Sequence, residues 1–347
     1  MSIRPDMAQL RLRLLREVGR AVKGVAEAAE SGIRLFGRRT GTGAGEIQKA
    51  DRGKLPTLDT GDPAAPLPDH RLGTPPLGTD PRRPFRMVTW NIAGGRRSLS
   101  SDAFDYDEVD LPYFAEQLRR LRPDVINVQE SEIGGDGSIA GKLAELLDLP
   151  YIFETPMCPS HISEGKTLSL AVISRLPIEG ERAQQLPATR LDLRVGGRSV
   201  PPYDRYAQRV TVGGINVVNL HPTPLGFFGH SYEEGAGATH AGEIGSAVRE
   251  LVDGPTVVAA DLNTDRPAVV YGRVFDEMGL SSALDTDART VPGWDGAPDQ
   301  IYSSADFRTV DRGVVTTDTD HHLVWADLEV TDARTLDALA ATRESGG

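Results

Sequence analysis

At 347 residues the chain is long enough for one large domain or two small ones, and its 39% hydrophobic and 25% charged fractions are those of an ordinary globular protein. No run approaches the roughly 18 uncharged apolar residues a membrane span needs, and the single cysteine, Cys158, excludes an internal disulfide and speaks against a thiolate metal site. The net charge is −12, a balance that repels polyphosphate backbones at long range.

Residues 1–39 run against that balance. They carry nine Lys and Arg against four acids, a local +5 that leaves the remainder at −17. Leu15, Val18, Val22, Val25 and Ala29 fall on one helical face, with Arg13, Arg16, Arg20, Lys23, Glu30 and Arg34 on the other. The spacing predicts an amphipathic helix that packs on the body or on a second copy. A weak contact with an anionic membrane surface is the other use of such a face, although Val and Ala are poor anchors. No apolar run follows the basic residues, so no signal peptide is read and a cytoplasmic location is expected.

Residues 40–84 are rich in Gly, Pro, Thr and Asp and predict an extended or disordered linker. The folded body is expected over 85–330. FRMVTWN (85–91) reads as a strand, LPYFAEQLRRLRP as a helix stopped by Pro123, and DVINVQE (124–130) as a buried strand. KLAELLDL (142–149) is a short helix, LSLAVISRLPI (168–178) a strand, and QRVTVGGINVVNLH (208–221) a hairpin turning at Gly213-Gly214. The segment Gly226–Gly242, holding His230, Tyr232 and His240, reads as a Gly-rich loop, either for substrate recognition or merely mobile surface. EIGSAVRELVDG (243–254) is a helix leading into TVVAADLN (256–263). VVYGRVFDEMGL (269–280) is a helix, and DQIYSS (299–304) and HHLVWADLEV (321–330) are the last strands. Residues 331–347 form a polar tail, read as a short polar helix or a frayed end. Helices and hairpins mixed without strict alternation imply a mixed sheet system with helices outside.

Apolar strands repeatedly end on polar groups: Asn91, Glu130, His221, then Asp261 with Asn263, while Asp320-His321 opens the last strand. Singly, each has a structural use. Asn91 could cap a turn, and Asp261 with Asn263 could form an Asx turn. Together they are costly to gather without a cation or mutual pairing. Oxygen and amide donors without thiolate point to a hard divalent ion, Mg²⁺ first, with Mn²⁺ or Ca²⁺ compatible.

TWNIAGG, DVINVQE, VVNLHPTP, VVAADLNT, DQIYSS and TDHHLVW, in that order, resemble the motif set of the endonuclease/exonuclease/phosphatase superfamily, across the whole of 85–330. The resemblance implies an α/β fold of the DNase I type, a four-layer α/β/β/α sandwich of two packed mixed sheets with the active site where their strand ends meet. It implies a hydrolase acting on phosphoester bonds. Glu130 is then an acidic metal ligand and Asp320 the second acidic ligand or a base, with Asn91 supporting the metal or phosphate. Asp261 orients or deprotonates the attacking water, Asn263 holds a phosphate oxygen, His221 and His321 face the phosphate, and Asp299 orients His321. Arg205 and Arg209 lie in reach of a phosphate or of the acidic surface. Departures from the family pattern are Ile92-Ala93-Gly94 after Asn91, Ala260 for a glycine and Thr319 for a serine. The acidic body favours a small molecule or lipid headgroup as substrate over DNA. A metal-dependent nuclease and an inactive interaction module are the alternatives.

Overall fold

The computed structural model describes residues 80–98, 106–195 and 197–345; the basic amphipathic helix and nearly all of the linker lie outside the described residues. In chain order the first strands are β1 (Phe85–Asn91), β2 (Arg96–Ser98) and β3 (Tyr106–Val109), followed by helix α1 (Leu111–Leu121). Next come β4 (Val125–Gly134), β5 (Gly137–Ser138), α2 (Ile139–Leu147), β6 (Tyr151–Pro159), β7 (Thr167–Ser174) and β8 (Glu179–Gln185). The short pair β9 (Arg194–Val195) and β10 (Arg198–Ser199) precedes the hairpin β11 (Tyr206–Val212) and β12 (Ile215–Leu220), then α3 (Gly235–Arg249) and β13 (Thr256–Asp261). Two short helices, α4 (Pro267–Val270) and α5 (Gly272–Glu277), lead to β14 (Leu280–Ser282), β15 (Asp299–Ser304), β16 (Phe307–Val315), β17 (Leu323–Val330) and α6 (Ala333–Ser345).

These strands make two large mixed sheets, ordered β16-β17-β1-β4-β7-β6 and β14-β15-β13-β12-β11-β8. Side chains alternate across each strand, so its two faces enter different layers. Phe85, Met87, Val125 and Val172 meet Val210, Val217, Val257 and Ile301 between the sheets. Val88, Trp90, Ile126 and Val128 turn outward onto Phe114, Leu118 and Leu143 of α1 and α2. Val218, Leu220 and Val258 turn outward onto Ile244 and Val248 of α3 and Phe275 of α5. The result is the expected helix, sheet, sheet, helix sandwich. Strands buried on both faces explain why the sequence shows apolar runs rather than alternation.

Between the sheets the core becomes polar. Asn127 Nδ2 donates to the carbonyls of Val218 and Ala259 at 2.9 and 2.8 Å, and Gln129 Nε2 to Asn219 Oδ1 at 2.7 Å. Asn219 Nδ2 donates back to the carbonyls of Val128 and Ala171. These amides lock the two sheets in one register, because a slip would strand buried donors.

The tail from 331 is the short helix α6 rather than a frayed end, and it seats Leu339 on the Gly213-Gly214 turn. Both glycines have positive φ (56° and 81°), and a Cβ on Gly213 would lie 3.0 Å from Leu339 Cα. Arg343 on α6 donates to the carbonyls of Pro81 and Arg83 at 2.8 and 2.7 Å and to Asp124 at 2.9 Å, and Arg83 also holds Asp124. Arg86 makes a buried two-pronged pair with Asp327, both contacts at 2.6 Å. The Gly-rich segment 226–242 is not a plain loop: it holds a 3-10 turn at Leu225–Phe228 and the first half of α3. The helix expected over 269–280 is broken at Tyr271 into α4 and α5. Strands β6, β8 and β16, and the short strands β2, β3, β5, β9, β10 and β14, have no counterpart among the expected elements.

Candidate active site

The polar strand ends converge. Asn91 ends β1, His221 directly follows β12, Asp261 ends β13 and Asp299 opens β15, where it is the register partner of Asp261. Asp320 and His321 precede β17. Glu130 lies inside β4 at a bulge, where the pairing with β7 slips between Val128 and Ser131. Its φ of 54° is left-handed, a conformation that costs a non-glycine residue about 1–2 kcal/mol. The bulge re-aims one side chain out of the strand's alternation, and the side chain re-aimed here is Glu130.

Asp261 is the hub. It is fully buried, and its Oδ1 accepts from Asn263 N at 2.8 Å and its Oδ2 from Asn91 Nδ2 at 3.1 Å. His221 Nε2 lies 3.4 Å and His321 Nε2 3.8 Å from the same Oδ2. On its far side His321 Nδ1 contacts both oxygens of buried Asp299, at 2.9 and 3.1 Å. Trp90 Nε1 and the Thr317 and Thr319 hydroxyls donate to the His321 carbonyl, so Thr319 keeps the hydroxyl that a serine would supply. Arg205 Nη1 faces His221 Nδ1 at 3.3 Å. Arginine cannot accept a hydrogen bond, so a neutral His221 carries its proton on Nε2, toward Asp261.

The electrostatics follow from burial against charge. Burial would lower the His321 pKa, but Asp299 and then Asp261 outweigh it and hold the imidazole well above its ordinary value. Burial would raise Asp261, yet His321 and His221 hold it below the usual carboxylate range. Burial likewise opposes ionisation of Glu130, and the neighbouring His161, His221 and Arg205 reverse that and lower it. Asp320 goes the other way: burial, helped by Glu130, pushes it up to about 7. Its Oδ2 accepts from Tyr106 at 2.7 Å, while its buried Oδ1 has no partner among the described residues.

The sequence-predicted residues sort clearly. Asn91, Glu130, Arg205, His221, Asp261, Asp299 and His321 are linked by contacts of 3.8 Å or less. Asp320 joins through its charge coupling to His321 and Glu130. Asn263 is tied in through its backbone N–H, and its side-chain amide donates to the Pro222 carbonyl at 2.8 Å. Arg209 is not in the site, because its guanidinium donates to Asn216 across the β11–β12 hairpin. Nor are the two histidines of 226–242. His230 contacts the Asp192 carbonyl, and His240 is buried against Tyr232. Sequence reasoning missed Tyr106, which opens β3 and reaches Asp320, and His161, which reaches Glu130 from the segment joining β6 to β7. Neither lies at the end of an apolar run in the sequence.

The donors fit a divalent cation. Asp261, Asp299 and His321 each offer a ligand atom within 4.8 Å of the others. His321, however, is engaged by Asp299 and held protonated, which suits a charge partner better than a ligand. The orphaned Asp320 oxygen, the Glu130 carboxylate and the Asn91 amide are hard oxygen donors of the kind Mg²⁺ takes. A carboxylate displaced upward by burial is stabilised as the anion by a nearby cation.

A profile of the endonuclease/exonuclease/phosphatase family matches residues 88–321. The fold is similar to an endonuclease/exonuclease/phosphatase from Beutenbergia cavernae DSM 12333, at 23% identity and TM-score 0.57 over 73% of each chain. It is also similar to a family protein from Leptotrichia buccalis C-1013-b, at 15% identity and TM-score 0.50 over 71% of this chain and 99% of that one. No curated protein sequence matches the chain at a significant level. The profile takes in strands of both sheets and every strand end gathered around Asp261, and the chain belongs to the endonuclease/exonuclease/phosphatase family.

Proposed function

We propose that the chain is a divalent-metal-dependent phosphoesterase that hydrolyses a phosphodiester or phosphomonoester of a small molecule or lipid headgroup, by in-line attack of water. The observation that carries this reading is the Asp299–His321–Asp261 relay opposite Glu130 and Asp320. It sets a buried protonated imidazole beside a buried carboxylate and a cluster of hard oxygen donors. In-line attack on phosphorus places negative charge on the nonbridging and leaving oxygens, and His321 and His221 can present N–H groups to that charge.

Asp261 is held anionic with both oxygens fixed by Asn263 N and Asn91 Nδ2. A carboxylate below its usual range is a weak base, so its part is to orient the attacking water rather than to take its proton outright. Glu130, Asp320 and Asn91 would hold the ion; when bound, it supplies charge neutralisation at the phosphoryl oxygens and polarisation of a reacting oxygen. Asp299 fixes the His321 ring and its charge. Arg205, 7% exposed, sets the tautomer of His221.

Among the described residues several cations near the site are already matched to acids. Arg97 pairs with Asp318 and Asp110, and Lys166 with Glu132. This supports a compact anionic substrate over a nucleic-acid backbone, which needs a stripe of free cations. Turnover with Mg²⁺ or Mn²⁺ on a panel of aryl phosphodiesters, sugar and lipid-headgroup phosphates, sphingomyelin, phosphoinositides and DNA tests the reading. Preference for a small or lipid ester is expected. Efficient cleavage of DNA alone would make the chain a nuclease, and no hydrolysis at all would leave it an inactive binding module.

A further inference from the structure

His161 lies outside every strand end, on the segment joining β6 to β7. Its Nε2 is 3.7 Å from Glu130 Oε2, while His221 Nε2 is 3.8 Å from Glu130 Oε1. Both separations exceed a hydrogen bond. Two neighbouring donors about 2.1 Å from one octahedral ion lie roughly 3 Å apart, so a small inward shift of the side chains brings these pairs onto one ion. The His161 side chain is 36% exposed and its ring makes no hydrogen bond among the described residues, so a ring nitrogen is available.

The histidine is held in place by a second acid of β4. The Glu132 side chain is fully buried and its carboxylate is satisfied wholly from the 160–166 segment: Ser160 Oγ at 2.6 Å, Ser163 Oγ at 2.9 Å and Lys166 Nζ at 3.2 Å. Ser160 Oγ in turn accepts from the N–H groups of Ile162 and Ser163 at 3.0 and 3.1 Å, which brackets His161 on both sides. Arg96 Nη2 donates to Ser163 Oγ at 3.0 Å. Glu132 also abuts the turn that follows Asn91: a Cβ on Gly94, at φ +66°, would lie 2.9 Å from its Oε2. One strand thus sends Glu130 into the site and uses Glu132 to hold the segment that faces it. A buried carboxylate is costly unless fully hydrogen-bonded, and here every partner belongs to that one segment.

We propose that His161 is an additional imidazole ligand of the divalent ion held at Glu130, positioned by Glu132, and that it moves the site's preference from Mg²⁺ toward Mn²⁺. The proposal rests on the metal-dependent phosphoesterase reading above. Mg²⁺ takes oxygen donors almost exclusively, whereas Mn²⁺ and the later first-row ions accept imidazole nitrogen. A nitrogen donor added to an oxygen-rich site therefore separates the ions.

The test is calorimetric titration of the full chain with Mn²⁺ and with Mg²⁺, and Co²⁺ absorption spectroscopy on the same proteins. His161→Ala should weaken Mn²⁺ binding by roughly tenfold or more, the scale on which ligand-sphere changes act, with Mg²⁺ binding changed less than about twofold. The Co²⁺ ligand-field bands should shift. Added imidazole should restore Mn²⁺ affinity to His161→Gly, and Glu132→Gln should weaken Mn²⁺ binding while leaving Mg²⁺ binding close to wild type. His161→Gln, closer in size, replaces the alanine variant if that one fails to fold. Unchanged Mn²⁺ affinity in a folded His161 variant overturns the proposal. So does a rise in KM with metal affinity intact, which would make His161 a substrate contact. His161-dependent Mn²⁺ binding by a protein that hydrolyses no ester would uphold this proposal and sink the phosphoesterase reading instead.

Discussion

Replacing Asp299 by Asn isolates what the carboxylate does for His321. The amide keeps the size and an acceptor for Nδ1–H, and only the charge is lost. Asp299 is fully buried and touches His321 Nδ1 at 2.9 and 3.1 Å. A hydrogen bond to a charged group contributes about 1.5–3 kcal/mol; at about 1.36 kcal/mol per pKa unit this amounts to roughly 1–2 units. His321 is raised in the folded protein. Its charged form, and the stability tied to it, is therefore fully present below the unfolded value near 6.5 and is lost as pH rises through the folded pKa. The expected result for Asp299→Asn is an alkaline limb of kcat/KM moved down by roughly 1–2 pH units, with a smaller loss on the acid side. The assay is hydrolysis of an aryl phosphodiester at saturating metal across the pH range in which His titrates, with His321→Gln as the variant lacking the limb. A uniform loss at every pH, with the limb unmoved, would refute the idea that Asp299 sets the charge of His321.

Asp261→Asn should lower kcat by roughly 10²-fold or more with little change in Tm, since the amide can keep one of the two hydrogen bonds; near wild-type turnover would remove Asp261 from the chemistry. EDTA should abolish turnover and Mg²⁺ or Mn²⁺ restore it, and full activity in chelator would sink the metal-dependent mechanism. Arg86→Met leaves Asp327 buried and unpaired, a change expected to cost about 3–5 kcal/mol. At about 2–4 °C per kcal/mol for a domain of this size the Tm should fall by roughly 6–20 °C, as read by thermal unfolding; a shift under a few degrees would mean the pair contributes little. Removal of residues 1–79 should leave kcat on a soluble ester close to wild type, and a large fall would show that the preceding segment completes the site.

The polar groups gathered around Asp261 were legible because of how the strands are buried. A strand covered on both faces is apolar throughout, so a carboxylate or imidazole at its end stands out, and Asn91, His221, Asp261 and Asp299 all stand at such ends. Glu130 looked like another strand end, yet β4 runs on to Gly134 and a bulge delivers the side chain. His161 was not legible: its place depends on hydrogen bonds that Glu132 accepts from residues 28 to 34 positions away, which no local pattern records. The Gly-rich stretch misled because glycine disfavours helix. Here α3 starts at Gly235, Gly237 packs where a Cβ would collide with the Ser231 carbonyl, and tertiary contact overrides propensity. Strand β8, EGERAQQ, is an exposed edge without apolar alternation, and its pairing with β11 alone defines it.

The clasp between Arg343 and the carbonyls of Pro81 and Arg83 has a geometric consequence. Strand β1 starts beside that clasp at Phe85 and ends in the site at Asn91, and at about 3.3 Å per residue its rise is roughly 20 Å. Both ends of the folded body are therefore fastened together at the pole of the sandwich opposite the polar groups gathered around Asp261. A tether attached at residue 80 would thus join the body at the Phe85 end of β1, roughly 20 Å of strand from Asn91.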